Sequence, residues 1–232
     1  MIRALIFDFD GLILETESPI YQSWQELYQS YGRQLSLEQW ETVLGTNEGS
    51  FDPMVELEAQ VGSLQHRENV LSQVLQRELD LISAQPVLPG VRDYLLEAKK
   101  LGLKVGLASS SPCSWVTCHL SRLGLIQYFD LIYARDDVRR TKPDPELYLT
   151  VIDKFQIRPD EAVVFEDSPN GILAAKRAGL FCVAVPNPLT RQLRLDHADF
   201  QLNSLAEMSL SELLFQLEKG RAGLETLDAL GS

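Results

Sequence analysis

The sequence predicts an α/β protein with a doubly wound parallel sheet and a second, all-helical domain inserted into it. Two observations predict the sheet: short apolar runs of strand length recur along the chain, and amphipathic segments of helix length lie between them. The third observation is that the pattern of residues 16–85 predicts helices and contains no convincing strand. Together these features indicate a Rossmann-like core with an inserted four-helix cap domain.

Five apolar runs are the candidate strands of the sheet. They are apolar on both faces, as expected for parallel strands that helices cover on both sides. The predicted strands are residues 4–9, 103–108, 131–133, 162–165 and 181–185. Glycine and proline punctuate the amphipathic segments that separate or follow these strands. The predicted helices of the core are residues 90–101, 113–123, 145–155, 169–178 and 206–219.

The region between the first two predicted strands breaks this alternation. It contains four helical segments that single glycines separate. The predicted helices of this region are residues 18–31, 36–44, 51–61 and 64–83. We therefore expect two domains: a core formed by residues 1–15 and 86–232, and a helical cap formed by residues 16–85.

The composition is that of an ordinary globular protein with an acidic surface. Of the 232 residues, 45% are hydrophobic and 23% charged, and the formal net charge is −12. This charge repels phosphate polymers, so nucleic acid is not an expected partner. No apolar run has the roughly 20 residues that a membrane helix needs, and the odd count of three cysteines favours a reducing compartment. We expect a cytoplasmic protein without membrane contact and, because no long exposed apolar stripe is evident, a monomer.

Four polar clusters follow the predicted strands. They contain Asp8 with Asp10, Ser109 with Ser110, the single cation Lys142, and Glu166 with Asp167. In a doubly wound sheet the carboxyl ends of the strands meet at the edge where ligands bind. Each cluster alone has an ordinary explanation, as a solvated acidic turn, a helix cap or a lysine in a loop. Together they supply acids for a metal, hydroxyls for an anion and one fixed cation, which is what phosphoryl transfer needs.

These strand-end motifs resemble those of the haloacid dehalogenase superfamily. The matching motifs, in the family's order, are Asp8-Phe9-Asp10-Gly11, Ser109-Ser110, Lys142-Pro143-Asp144-Pro145 and Glu166-Asp167-Ser168-Pro169-Asn170-Gly171. The resemblance covers roughly residues 1–205. It is to phosphohydrolases with a helical cap after the first strand, such as β-phosphoglucomutase-like enzymes and sugar-phosphate phosphatases.

The resemblance implies a magnesium-dependent hydrolysis in two steps. Asp8 would attack the phosphorus and become an aspartyl-phosphate. Asp10 would protonate the leaving oxygen and then deprotonate the attacking water. Mg²⁺ would be bound by the Asp8 carboxylate, the Asp10 backbone carbonyl and Asp167. Glu166 would support these ligands or bind the ion through a water molecule.

The resemblance also implies which residues bind the phosphoryl group. Ser109 and the backbone N–H of Ser110 would hold the phosphoryl oxygens. Lys142 would neutralise the charge between Asp8 and the phosphate. The helical cap would close over this edge of the sheet and exclude water.

Substrate selection is expected in the cap, where Glu17, Thr46 and Asn47 are the candidates. The expected substrate is a small phosphorylated metabolite, a sugar phosphate in particular. A phosphohexomutase is the alternative, but residues 18–21 contain no histidine and residues 44–50 contain no arginine or lysine to bind a second phosphate. A non-catalytic binding or regulatory protein is the more remote alternative, because the nucleophile and the lysine are both retained.

Overall fold

A computed structural model describes residues 1–41 and 51–219 of the chain, and its centre is a six-stranded sheet. The strands are β1 (Ala4–Phe7), β2 (Lys104–Ala108), β3 (Leu131–Tyr133), β4 (Ala162–Glu166), β5 (Phe181–Ala184) and β6 (Phe200–Gln201). All pairings are parallel, and the order is β3-β2-β1-β4-β5-β6. Ile6 of β1 lies opposite Gly106 on one side and Val164 on the other. The strand order reverses beside β1, so the end of β1 is a topological switch point.

Helices cover both faces of the sheet. The described helices are α1 (Glu17–Ser30), α2 (Leu37–Glu41), α3 (Pro53–Val61), α4 (Arg67–Ser83), α5 (Val91–Lys100), α6 (Cys113–Arg122), α7 (Glu146–Phe155), α8 (Pro169–Arg177) and α9 (residues 210–219). Short 3-10 helices span Ile126–Tyr128, Arg135–Asp137, Pro159–Glu161 and Thr190–Gln192. Helices α5, α6 and α9 pack on one face, and α7 and α8 pack on the other. This arrangement confirms the predicted doubly wound α/β fold.

The two faces of β1 explain why its sequence is apolar throughout. Leu5 and Phe7 belong to the hydrophobic cluster on one side of the sheet, and Ala4 and Ile6 belong to the cluster on the other. All four side chains are fully buried. Side chains alternate between the two faces of a strand, so a strand covered on both faces needs apolar residues at every position.

Helices α1 to α4 lie between β1 and α5 in the chain and have a hydrophobic cluster of their own. We call these four helices the helical insertion. Its buried side chains include Trp24, Tyr28, Leu57 and Val74. Leu189, from the loop after β5, is buried in the same cluster, so this loop connects the sheet to the helical insertion. None of the helices in the described ranges is long and apolar enough to span a membrane.

Several element ends differ from those that the sequence predicts. Strand β1 stops at Phe7, two residues early, because the chain turns after it and Phe9 accepts a backbone hydrogen bond from Ile13. Helix α9 starts at residue 210, where Ser209 and Glu212 form a capping box. Strand β6 was not predicted, because two residues are too few for an apolar pattern. The end of the predicted helix 36–44 lies outside the described residues.

Candidate active site

A cavity of about 370 Å³ lies at the carboxyl ends of β1, β2 and β4, beside the switch point of the sheet. Its lining includes Asp8, Asp10, Thr16, Glu17, Ile20, Ser109, Ser110, Ser111, Trp115, Lys142, Asp167, Ser168, Asn170 and Thr190. Seven of the ten predicted site residues are among them. Glu166 is fully buried and contacts Lys142. Thr46 and Asn47 lie outside the described residues.

Lys142 lies between two carboxylates in this cavity. Its ammonium group donates to Asp8 and, at 2.6 Å, to Oε1 of Glu166. The Nζ atom is also 5.1 Å from the centre of the Tyr148 ring, and the Tyr148 hydroxyl donates to the same oxygen of Glu166. Burial opposes the charge of Lys142, but the attraction of Asp8 and Glu166 outweighs it and raises the pKa of Lys142. The lysine is therefore a fixed positive charge at the bottom of the site.

Three carboxylates form a buried acidic cluster around this lysine. Asp8, Glu166 and Asp167 each offer one oxygen, and these oxygens lie within 4.8 Å of one another. Burial raises the pKa of Asp8 to about 8, and repulsion from Glu166 adds to this effect while Lys142 opposes it. Burial, followed by repulsion from Asp8, raises the pKa of Asp167 well above its usual value. One lysine does not balance three carboxylates, so the cluster fits a divalent cation that prefers oxygen ligands.

Two glycines of the predicted motifs make room for these acids. Gly11 has a φ of +77°, and a Cβ atom at this position would lie 2.3 Å from Oδ2 of Asp167. A Cβ atom at Gly171 would lie 1.9 Å from the carboxyl carbon of Glu166. Ser168 caps α8 by accepting a hydrogen bond from the N–H of Gly171, and its hydroxyl donates to Oε2 of Glu166 at 3.2 Å. Larger residues at either glycine would displace an acid of the cluster.

Asn187 supports Asp167, and no sequence motif predicted it. Its Nδ2 atom donates to Oδ2 of Asp167 at 2.7 Å, and both side chains are buried. Its Oδ1 atom accepts from the backbone N–H groups of Leu189 and Thr190, each at 2.9 Å. These two bonds fix the orientation of the amide, so that its NH₂ group faces the acidic cluster.

The serines that follow β2 provide hydroxyls at the start of α6. The Oγ atom of Ser110 is buried and has no hydrogen-bond partner among the described residues. The Oγ atom of Ser109 accepts from the N–H of Ser111 at 3.0 Å. Both serines line the cavity. A buried hydroxyl without a partner, near a helix start, is suited to binding an anion oxygen.

The carboxylate of Asp10 accepts hydrogen bonds from two side chains that no sequence motif predicted. The Ser111 hydroxyl donates to Oδ2 at 2.6 Å, and the indole N–H of Trp115 donates to Oδ1 at 2.9 Å. Both residues line the cavity. Ser111 precedes the N-cap residue Pro112 and Trp115 lies in the first turn of α6, so no helical spacing relates them, and nothing in the sequence identifies Asp10 as their partner.

The helical insertion reaches the cavity through the start of α1. Glu17 lines the cavity, and burial, together with repulsion from Asp10 and Glu15, raises its pKa to about 7. Thr16 lines it as well, and its buried hydroxyl has no partner among the described residues. These residues bring polar groups from the helical insertion to the same space as the strand-end motifs.

Comparison with known proteins agrees with this architecture. The Bacillus subtilis protein YhcW is 46% identical over 217 residues, which is 94% of this chain and 98% of the relative. The "Phosphorylated carbohydrates phosphatase" of Thermotoga maritima is 32% identical, over 77% of this chain and 82% of the relative. The crystal structure of CbbY from Rhodobacter sphaeroides in complex with phosphate superposes with a TM-score of 0.71 at 28% identity, covering 91% of this chain and 98% of that one. The model of the haloacid dehalogenase-like hydrolases matches residues 5–185. Because this match covers most of the chain and includes all four strand-end motifs, the chain belongs to the haloacid dehalogenase-like hydrolase family.

Proposed function

We propose that this chain is a magnesium-dependent phosphomonoester hydrolase that acts on a small phosphorylated metabolite, a sugar phosphate in particular. The family and the names of its relatives support phosphatase as the reaction class. A relative named for phosphorylated carbohydrates supports the substrate class. The observation that carries the proposal is the single cavity in which Asp8, Lys142 and Ser110 lie beside the buried acidic cluster.

Magnesium would be held by the acidic cluster. The proposed ligands are the carboxylates of Asp8 and Asp167 and the backbone carbonyl of Asp10. Glu166 already accepts hydrogen bonds from Lys142, Tyr148 and Ser168, which favours a supporting role or binding through water over direct ligation. The bound ion supplies positive charge that offsets the charge of the phosphoryl oxygens and of the carboxylates.

Asp8 is the proposed nucleophile. One of its carboxylate oxygens forms a bond to phosphorus while the bond from phosphorus to the leaving oxygen breaks, which gives an aspartyl-phosphate. Lys142 contacts Asp8 directly and remains positively charged, so it stabilises the negative charge that Asp8 and the phosphoryl group share. Ser109, together with the hydroxyl and N–H groups of Ser110, binds the phosphoryl oxygens.

Asp10 is the proposed acid and base. It gives a proton to the leaving oxygen in the first step. In the second step it takes a proton from the water whose oxygen attacks the aspartyl-phosphate, and this regenerates the Asp8 carboxylate. Asp10 lines the same cavity as Asp8, which supports this division of roles.

The helical insertion is the proposed cap domain. We assign residues 16–85 to it and residues 1–15 and 86–232 to the core. Glu17 lies at the start of α1 and lines the cavity, which supports a role for this residue in substrate selection. A cap that covers the cavity would exclude water during the first step.

Phosphate release from a panel of sugar phosphates, with and without Mg²⁺, tests the proposal. We expect activity that requires Mg²⁺ and that Asp8→Asn lowers by at least about 1,000-fold. Asp153→Asn, the same change at an exposed position of α7, is the matched control and should leave the activity unchanged. Activity that survives both Asp8→Asn and chelation with EDTA would contradict the mechanism. Conversion of glucose 1-phosphate to glucose 6-phosphate without phosphate release would identify a mutase instead.

A further inference from the structure

We infer that Trp115 and Ser111 are positioning residues that aim the carboxylate of Asp10 at the leaving oxygen of the substrate. The inference rests on the proposed role of Asp10 as acid and base. It assigns a role in the reaction to two side chains that lie outside the strand-end motifs and that do not react themselves.

The geometry around Asp10 carries this inference. Each carboxylate oxygen accepts one hydrogen bond, Oδ2 from the Ser111 hydroxyl at 2.6 Å and Oδ1 from the indole N–H of Trp115 at 2.9 Å. Both donors lie around the start of α6 (Cys113–Arg122), although Asp10 follows β1. Two hydrogen bonds from residues on either side of the helix start to the two oxygens of a carboxylate fix its position and the plane of the group.

The indole of Trp115 is itself held in place by ring packing. It packs edge-on against His119, one helical turn further along α6, with 4.3 Å between the ring centroids. His119 is buried, and its Nδ1 atom has no hydrogen-bond partner among the described residues. Because the indole packs against this buried ring, its orientation is set, and its N–H points to Asp10.

The two donors differ in what they allow Asp10 to do. An indole N–H only donates, so Oδ1 of Asp10 must remain an acceptor, whereas a serine hydroxyl can donate or accept. The proton that Asp10 gives to the leaving oxygen is therefore carried on Oδ2. It moves to that oxygen as the bond to phosphorus breaks and the bonding electrons stay with the leaving oxygen. In the second step Oδ2 takes a proton from the attacking water.

Substrates whose leaving groups differ in basicity distinguish the positioning role of Trp115 and Ser111 from a purely structural one. The nitrophenolate of p-nitrophenyl phosphate leaves without a proton, whereas the alkoxide of glucose 6-phosphate needs one. We expect Trp115→Phe to lower kcat/KM for glucose 6-phosphate by about tenfold or more, and to change kcat/KM for p-nitrophenyl phosphate by less than about threefold. Ser111→Ala should show the same selective loss, and Ser111→Thr, which keeps the hydroxyl, should restore the activity.

Trp40→Phe is the matched control, because the buried indole N–H of Trp40 has no partner among the described residues and the change removes no hydrogen bond that they make. It should leave both kcat/KM values unchanged. In an Asp10→Asn background, Trp115→Phe should have little further effect, since the residue that it positions is already disabled. Equal losses on both substrates, or no loss on either, would overturn the positioning role. If Trp115→Phe does not fold, the comparison of Ser111→Ala with Ser111→Thr tests the positioning role on its own. A wild-type protein that releases phosphate neither from p-nitrophenyl phosphate nor from any member of the sugar-phosphate panel would overturn the proposed function and the inference with it.

Discussion

Asn187 donates from Nδ2 to Oδ2 of Asp167 across 2.7 Å in a buried environment. Gly11 faces this pair so closely that a Cβ atom there would lie 2.5 Å from the Asn187 nitrogen. The loop that holds Asn187 continues to Leu189, which is buried in the hydrophobic cluster of the helical insertion. The same loop thus fixes one oxygen of the acidic cluster and packs against the helices that contribute to the cavity.

Replacing Asn187 should weaken metal binding. Asn187→Ala removes the donor that orients Asp167, and outer hydrogen-bond partners of this kind contribute about 10- to 100-fold in metal affinity. Isothermal titration with Mg²⁺ measures the change. Asn203→Ala is the matched control, since within the described part of the chain the Asn203 amide donates only to Glu207, at an exposed position. An unchanged Kd for Asn187→Ala would show that Asp167 is not a ligand or that it needs no support.

Magnesium binding should release a proton and become tighter as the pH rises. Burial raises the pKa of both Asp8 and Asp167 in the metal-free protein, and the metal binds the ionised carboxylates, so binding displaces protons from this pair. The affinity should therefore increase as the pH rises through neutrality. Titration at pH 7 in two buffers of different ionisation enthalpy measures the released proton. At a Mg²⁺ concentration 100 times the Kd, the free energy of unfolding should rise by about 2.7 kcal/mol. Magnesium binding without proton release would contradict the proposal that these buried carboxylates bind the ion.

The fold could be predicted largely from local sequence. A buried parallel strand needs apolar residues on both faces, and the residues of β1 show this directly. The length of β6 could not be predicted, because its two residues pair with β5 through backbone bonds that need no particular side chains. The late start of α9 depends on the capping box of Ser209 and Glu212, which competes with an apolar pattern that begins earlier.

The strand-end residues of the candidate site could also be predicted from the sequence, but their supporting partners could not. Asp8, Lys142 and Asp167 lie in loops at one edge of the sheet, so topology alone brings them together. The partners Asn187 and Trp115 depend on the direction in which a loop or a helix turns one side chain. No local pattern encodes that direction, because the donor and the acceptor come from separate segments of the chain.

Glu17 should make the protein less stable as the pH rises. Its pKa in the folded chain is about 7, above the ordinary value of 4.5, because of burial first and repulsion from Asp10 next. The folded state therefore binds more protons than the unfolded state between about pH 4.5 and pH 7, and the free energy of unfolding falls across this window. Glu17→Gln should stabilise the metal-free protein at pH 8 by on the order of 1–3 kcal/mol and change little at pH 4.5.

Urea denaturation in EDTA at these two pH values measures the effect of Glu17→Gln. Glu26→Gln is the control of opposite sign, because hydrogen bonds from Arg77 lower the pKa of Glu26. That substitution should not stabilise the protein at pH 8. Equal stability of Glu17→Gln and wild type at pH 8 would show that Glu17 ionises in the folded state without cost.

Gly171→Ala should reverse the usual preference of helices for alanine. An alanine in place of glycine inside a helix ordinarily stabilises it by about 1 kcal/mol. Gly171 lies within α8, but a Cβ atom there would lie 1.9–2.0 Å from the carboxylate atoms of Glu166. Glu166 must move, which breaks its contact with Lys142. We expect a loss of about 1–3 kcal/mol in the free energy of unfolding, together with weaker activity.

Gly124→Ala serves as the comparison for Gly171→Ala. Gly124 has a φ of +65°, and no atom of residues 1–41 or 51–219 would lie within 4 Å of a Cβ there, so alanine introduces backbone strain without a collision with these residues. Its cost should be about 1–2 kcal/mol, with phosphatase activity unchanged, because Gly124 follows α6 outside the cavity lining. Urea denaturation and phosphate release measured on both variants separate the two effects. A Gly171→Ala protein that is more stable than wild type and fully active would show that Glu166 can move without loss, and that its contact with Lys142 is dispensable.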